Sequence, residues 1–207
     1  MSNSESNETL TRMGPGAAMG RVFRQFWQPA LLSEELPVAD CPPVRVRLMG
    51  EDFVAFRDSS GKVGLLDAHC PHRLADLFFG RNEEGGLRCV YHGWKFSVAG
   101  EILDMPSEPQ GSPMRCNPNL RAKAYPVREA GGIIWAYLGP QESMPALPDM
   151  EFMSLPPQNV HVSKCLMKCN YLQALEGSID TAHLTFLHHS MAPMEKDVFA
   201  VGNLQEF

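Results

Sequence analysis

Alternation of apolar and polar residues dominates the chain from Val44 to about residue 140. The segment VRVRL at residues 44–48 has a period of two, as expected of a strand with one buried face. DFVAFR and KVGLL follow, and the turn-forming residues 58–61 between them predict a β-hairpin. Further short apolar segments recur at roughly 8–12-residue spacing, namely LRCVY, WKFS, EIL, AYPVRE and GIIWAYL. The pattern predicts a small antiparallel β-sandwich or barrel.

The pattern changes on both sides of this region. At the N-terminus the small, turn-forming residues MGPGAAMG predict a loose arm. Five prolines between residues 139 and 159 exclude a continuous helix or a central strand there. Beyond them, VHVSKCLMK predicts a strand. Residues 170–189, whose apolar positions recur at spacings of three and four, predict a helix.

The predicted organisation therefore has four parts. They are an N-terminal arm at 1–26, a mainly β domain at 27–140, a Pro-rich linker at 141–159, and a further segment at 160–207.

Composition excludes several classes of function. Hydrophobic residues make up 44% of the chain and charged residues 20%, which is typical of a globular protein. The net charge is −6 without a basic cluster, so neither nucleic acid nor an acidic membrane is an expected partner. No apolar run approaches the ~18 residues of a membrane span, and MSNSESNETL does not resemble a signal peptide. We expect a cytoplasmic protein, whose six cysteines are metal ligands or free thiols.

Two cysteines and two histidines form the first candidate site. AHCPHRLADL contains Cys70 and His72, and CVYHGWKF contains Cys89 and His92. A structural zinc site of this composition normally pairs its cysteines in one loop and its histidines in another. Here each loop carries one of each, which suits a cluster with two inequivalent irons. A Rieske [2Fe–2S] centre has this ligand set, and a structural zinc module remains the alternative.

A second candidate site lies in IDTAHLTFLHH, which contains Asp180, His183 and His188. Two histidines and a carboxylate are the ligands of many non-haem Fe(II) sites that keep positions open for O₂. On an ideal helix, ~100° per residue places Asp180 and His183 on one face. His183 and His188 are five residues apart, so both reach one metal only if the helix widens or ends between them.

The motifs resemble those of Rieske non-haem iron ring-hydroxylating oxygenase α-subunits, in particular the phthalate dioxygenase-like branch. The resemblance rests on CPHR, CVYHGWKF and NYLQALEGSIDTAHLTFLH, with DMPSEP, AYPVREAGGIIWAYLGP and LPDMEF. It extends over nearly the whole chain. Many relatives have Gly or Arg where this chain has Leu74. The resemblance implies an antiparallel Rieske β-sandwich followed by the truncated start of an α+β catalytic domain.

The resemblance also implies roles for individual residues. Cys70, His72, Cys89 and His92 match the cluster ligands, and His183 and His188 match two ligands of the mononuclear iron. The third iron ligand of the family is an Asp that would lie beyond Phe207. The nearby acids Glu195 and Asp197 do not match the position of that Asp. Asp180 matches the acid that links the two metal centres through a cluster histidine of a neighbouring subunit. Where some relatives have Asn near the iron, this chain has Glu176.

The implied activity is hydroxylation of a small aromatic substrate by O₂, as a dioxygenase or as a monooxygenase or O-demethylase. The implied cofactors are a [2Fe–2S] cluster and mononuclear Fe(II). Electrons come from NAD(P)H through a separate reductase of flavin or ferredoxin type, and the full-length protein forms a homotrimer or a multiple of it. Two alternatives remain, which are a Rieske ferredoxin-type electron carrier and a catalytically inactive fragment.

Overall fold

The computed structural model describes residues 3–187 of the chain. The chain forms two compact units, Met1–Cys165 and Leu166–Phe207. The first unit contains two helices and eleven strands: α1 Asn3–Thr11, α2 Ala18–Phe23, β1 Trp27–Leu32, β2 Val44–Leu48, β3 Glu51–Arg57, β4 Val63–Asp67, β5 Arg81–Glu83, β6 Gly86–Arg88, β7 Lys95–Phe96, β8 Ile102–Asp104, β9 Ala124–Tyr125, β10 Val127–Ala130 and β11 Ile133–Tyr137. The described part of the second unit contains α3 Tyr171–Ile179 and α4 Leu184–Leu187.

The strands form three antiparallel sheets. The first has the order β1-β11-β10, the second β2-β3-β4-β9 and the third β5-β6-β7-β8. The predicted hairpin is present, since β3 pairs with β4 from Phe53 opposite Asp67 to Arg57 opposite Val63. The mainly β, antiparallel fold class expected from the sequence is therefore confirmed.

Strand β3 shows how the sheets are layered. Phe53, Val54, Ala55 and Phe56 are all buried. Phe53 and Ala55 belong to a core shared with the β1-β11-β10 sheet. Val54 and Phe56 belong to a second core, which also contains Cys70 and Cys89. Because successive side chains of a strand point to opposite faces, β3 is buried on both sides.

The Pro-rich segment packs against the sandwich. Its residues Met144, Leu147, Met150, Phe152 and Met153 cover Trp27, Trp135 and Tyr137. The Trp27 indole Nε1 also donates a hydrogen bond to the Pro145 carbonyl oxygen at 2.9 Å. The prolines prevent regular structure in this segment, as predicted, but its apolar side chains bury the outer face of a sheet.

Three local predictions were wrong. Helices α1 and α2 occupy much of the segment predicted as a loose arm. Strand β5 was missed because its residues, Arg81–Glu83, are polar. Residues 160–168 form no strand; Lys164 Nζ instead contacts both carboxylate oxygens of Glu35 at 2.6 Å.

The helix predicted over residues 170–189 is also interrupted. Asn170 caps α3 through its Oδ1, which accepts a hydrogen bond from the Leu172 amide at 3.0 Å. The helix ends at Ile179, where Asp180 adopts an extended backbone conformation with ψ of 111°. The Asp180 carboxylate accepts the Ala182 amide at 2.8 Å. This bond competes with helical pairing and starts a new turn.

Within residues 3–187, no helix is long and apolar enough to cross a membrane.

Candidate metal centre

Two loops with the same hydrogen-bond pattern carry the four predicted cluster ligands. The Cys70 amide donates to the Ala75 carbonyl at 2.8 Å, and the Cys70 carbonyl accepts the Leu74 amide at 2.9 Å. In the second loop, the Cys89 amide donates to the Trp94 carbonyl at 2.8 Å, and the Cys89 carbonyl accepts the Gly93 amide at 3.1 Å. Each cysteine therefore starts a tight turn of the same form.

The loops are held by the strands beside them. The first follows β4 and is closed by a bridge between His69 and Asp76. The second joins β6 to β7, and Arg88 Nη1 donates to the Gly93 carbonyl at 2.7 Å. Arg88 is fixed by the Asp104 and Glu83 carboxylates at 2.8 and 2.7 Å. The hydrogen bond from Arg88 holds the pKa of Asp104 below its ordinary value.

The two cysteines lie together on the buried side of the site. Cys70 is 2% exposed and Cys89 is 3% exposed, and their thiols contact each other. Burial raises the pKa of the Cys70 thiol to about 11, while backbone amides of His72 and Arg73 act in the opposite direction. These amides are aimed where they stabilise a thiolate, the form of cysteine that binds metal.

The two histidines lie together nearer the surface. The ring centroids of His72 and His92 are 4.6 Å apart, with an angle of 63° between the rings. Two thiols at depth and two imidazoles above them form two pairs. Among residues 3–187, no three His, Cys, Asp or Glu side chains are grouped as ligands of one metal ion. A pair of thiols and a pair of imidazoles match the two inequivalent irons of a Rieske centre.

His72 is enclosed by aromatic and acidic neighbours. Its ring stacks on Trp94 at 4.3 Å with 2° between the planes. Trp94 is fully buried, and its Nε1 donates to Ser107 Oγ at 3.1 Å. Burial lowers the pKa of His72, and neighbouring Glu108 opposes this shift. Trp94 therefore covers one face of the His72 ring.

His92 is beside the protein surface. The Tyr91 ring lies 3.9 Å from the His92 ring, and Tyr91 is 62% exposed. Val90 and Leu74 are also exposed large apolar residues near the ligand positions in sequence. An exposed aromatic ring therefore borders His92.

Three residues around these loops were missed in the sequence analysis. Glu108, Arg88 and Ser107 contact His72, Gly93 and Trp94 respectively. None has a characteristic spacing from the ligand motifs. Glu108 and Ser107 belong to the DMPSEP motif, which supported the family resemblance. Nothing in that motif indicated that the two residues lie beside the candidate site.

The second candidate site is described only in part. Asp180 Oδ2 lies 3.3 Å from His183 Nδ1, so the two residues are neighbours, as predicted. A turn brings them together where a continuous helix was expected. The Ala182 amide and His183 hold the pKa of Asp180 below its ordinary value. His188 lies outside the described residues, as do Glu195 and Asp197.

The chain matches two family models. Residues 26–126 match the Rieske [2Fe-2S] domain, and residues 136–201 match a family described as LigXa C-terminal domain like.

Curated relatives and a solved structure agree with these matches. The 3-chlorobenzoate-3,4-dioxygenase oxygenase subunit of Comamonas testosteroni is 49% identical over 188 residues, which are 91% of this chain and 43% of the relative. The phthalate 4,5-dioxygenase oxygenase subunit of Pseudomonas putida is 45% identical over 190 residues, 92% of this chain and 43% of the relative. The chain thus spans less than half the length of either. A crystal structure of dicamba monooxygenase bound to 3,6-dichlorosalicylic acid has a TM-score of 0.66 and 26% identity, over 80% of this chain and 47% of the other.

Proposed function

We propose that the chain belongs to the Rieske oxygenase subunits of phthalate dioxygenase type and acts in the terminal oxygenase of such a system. In this role it receives electrons at a [2Fe–2S] cluster and passes them to a mononuclear iron that activates O₂ for hydroxylation of a small aromatic substrate. The relatives include dioxygenases and the solved structure a monooxygenase. The proposal therefore covers both outcomes.

The observation that carries the proposal is the pairing of ligands in the two equivalent loops. Cys70 and Cys89 would hold one iron on the buried side, and His72 and His92 the other. When bound, such a cluster takes up and releases one electron at a time. The chain surrounds it with Trp94 and an apolar core, which exclude water from the thiolate side.

The second site in the proposal uses His183 and His188 as ligands of the mononuclear iron. Asp180 is assigned the link between the centres. The 3.3 Å contact between Asp180 Oδ2 and His183 Nδ1 supports a role beside the iron. A carboxylate that holds one imidazole nitrogen leaves the other nitrogen for the metal.

The proposal also covers partners and organisation. Electrons come from NAD(P)H through a separate reductase of flavin or ferredoxin type, and the full-length subunit forms a homotrimer or a multiple of it. The domain division is 27–140 for the Rieske domain, 141–159 for the linker and 160–207 for the start of the catalytic domain, after an arm at 1–26. A cytoplasmic location suits the free thiols that the cluster requires.

Analysis of the purified protein tests the proposal. We expect two irons and two acid-labile sulfides for the cluster, and a Rieske-type EPR signal after reduction. Additional mononuclear iron is expected as total iron in excess of the cluster iron and as a high-spin Fe(III) EPR signal after oxidation, and it is lost in a His183→Ala variant that keeps the cluster signal. Zinc without sulfide contradicts the proposal.

A Rieske ferredoxin-type electron carrier is the second candidate. It is favoured by the placement of all four cluster residues in one compact unit, Met1–Cys165. Under this alternative the cluster exchanges electrons with a reductase, but the protein holds no mononuclear iron. The His183→Ala variant then has the same iron content as the wild type.

A further inference from the structure

Glu108 places a carboxylate beside one of the proposed cluster ligands. Its Oε1 lies 4.0 Å from His72 Nε2, and the side chains are 14% and 12% exposed respectively. Nε2 of His72 is therefore the ring nitrogen that faces the Glu108 carboxylate, and Nδ1 is the other ring nitrogen. At 4.0 Å the contact is longer than a hydrogen bond, so Glu108 acts on His72 through its charge.

The Glu108 carboxylate is held independently of the two ligand loops. Ser112 Oγ donates to Glu108 Oε2 at 3.0 Å. The Glu108 amide donates to the Met105 carbonyl at 3.1 Å. Arg115 donates to the Glu108 carbonyl from Nε at 3.0 Å and from Nη2 at 2.8 Å. The 105–115 segment therefore fixes the position of this charge.

His92 and Arg73 also act on His72, and both oppose the effect of Glu108. Arg73 is exposed, so water screens its charge more than that of the largely buried Glu108. Trp94, which stacks on the other side of the His72 ring, is uncharged. Glu108 is thus the least screened fixed charge among these neighbours.

We infer that Glu108 is a positioning residue that lowers the reduction potential of the cluster by placing a negative charge beside His72. The inference rests on the proposed function, since it needs the cluster to be held by the four ligands. Reduction adds one electron, and hence one negative charge, to the cluster without making or breaking a bond. A nearby carboxylate opposes that addition, because net charge and burial around an iron–sulfur cluster set its potential.

The test is a redox titration of the purified holoprotein with dithionite as electron donor, followed by EPR and visible circular dichroism. Glu108→Gln removes the charge and keeps the shape. We expect a shift of the potential to a more positive value and an unchanged cluster content. Glu108→Asp keeps the charge but moves it away from His72 by one methylene group. We therefore expect the reduction potential of this variant to lie between those of the wild type and Glu108→Gln. Glu142→Gln makes the same change in net charge at an exposed position of the Pro-rich segment and is expected to leave the potential at the wild-type value.

The outcomes separate this inference from the proposed function. A wild-type protein without a [2Fe–2S] signal contradicts the proposed function itself. A normal wild-type signal with equal potentials in Glu108→Gln and Glu142→Gln overturns only the inference about Glu108. If Glu108→Gln does not retain the cluster, the reduction potential of Glu108→Asp is compared with that of the wild type. A more positive potential supports the inference, and an equal potential overturns it. Loss of the cluster from both variants means that Glu108 builds the site and does not tune it, which also overturns the inference.

Discussion

Leu74 and Gly93 occupy the same place in the two ligand loops, four residues after Cys70 and Cys89 respectively. Both have positive φ angles, 57° for Leu74 and 75° for Gly93. Each amide donates to the carbonyl of the cysteine that starts its loop. The second loop meets this backbone requirement with glycine, whereas the first meets it with a large aliphatic residue that is 72% exposed.

Replacing Leu74 with glycine should stabilise the protein. A left-handed conformation costs a residue with a Cβ about 1–2 kcal/mol, which the substitution removes. Glycine also raises the entropy of the unfolded chain, which destabilises the folded protein by about 0.4–1 kcal/mol. We expect a net gain of about 0.5 kcal/mol in the free energy of unfolding, measured by urea denaturation. Leu155→Gly, at a partly exposed position with φ of −73°, should only destabilise. Equal losses in both variants would show that Leu74 is not strained.

Replacing Gly93 with alanine should have the opposite effect. A Cβ at Gly93 would lie 2.7 Å from Pro106 Cγ, in addition to the cost of the positive φ. We expect a loss of about 2 kcal/mol in the free energy of unfolding and a reduced iron content. Gly111→Ala is the control, because a Cβ there meets nothing within 4 Å. Wild-type stability in Gly93→Ala would contradict the tight packing of the second loop.

The ion pair between Arg57 and Glu129 should make stability depend on pH. Arg57 donates to both oxygens of Glu129 at 3.0 and 2.9 Å and so connects β3 with β10. These hydrogen bonds lower the pKa of Glu129 in the folded protein. The stabilisation is therefore present above the unfolded pKa of about 4.3 and is lost as the pH falls through the lower folded value.

Glu129→Gln measures this contribution. Glu129 is 39% exposed, so solvent screening limits the loss at pH 7 to about 1 kcal/mol or less. The difference between wild type and variant, measured by urea denaturation, should shrink towards zero in acid. Glu142→Gln should show no such pH-dependent difference. A Glu129→Gln difference that is constant between neutral and acidic pH would rule out the ion pair as its cause.

Replacing Asp180 with asparagine should separate metal binding from electron transfer. Asparagine keeps a side-chain oxygen for the Ala182 amide and removes the charge beside His183. Under the proposed function we expect both metal sites to be occupied, with electron transfer to the mononuclear iron slowed by about 10–100-fold. Single-turnover reoxidation of the reduced cluster measures the rate. A wild-type rate would exclude Asp180 as the link between the centres.

The period-two pattern predicted β2 well, because Val46 enters one core while Arg45 and Arg47 are exposed. Strands β3 and β4 are apolar without this alternation, because both of their faces are buried. The Cys and His motifs could be identified from the sequence for a different reason. Tight turns fix the spacing of ligands within each loop, so Cys70 with His72, and Cys89 with His92, form recognisable local patterns. The match to the Rieske domain over residues 26–126 agrees with that interpretation.

Other features had no local signal. Strand β5 consists of polar residues and forms because the Glu84–Gly85 turn, with φ of 50° and 79°, returns the chain onto β6. The apolar periodicity of residues 170–189 predicted one helix. In the structure the Asp180 carboxylate accepts the Ala182 amide, and this hydrogen bond ends α3. A pattern of apolar positions carries no information about such a bond.

By itself, the sequence determined the antiparallel β architecture and predicted the four cluster ligands, since both depend on residue type and on short spacings. Only the tertiary structure decided how those ligands are paired and what surrounds them. Cys70 and Cys89 lie together at depth because the loop after β4 and the loop between β6 and β7 contribute to one core. Glu108 reaches His72 through a loop whose path is set by Arg115 and Ser112. Contacts between residues far apart in the chain depend on how whole strands pack, and no local pattern encodes them.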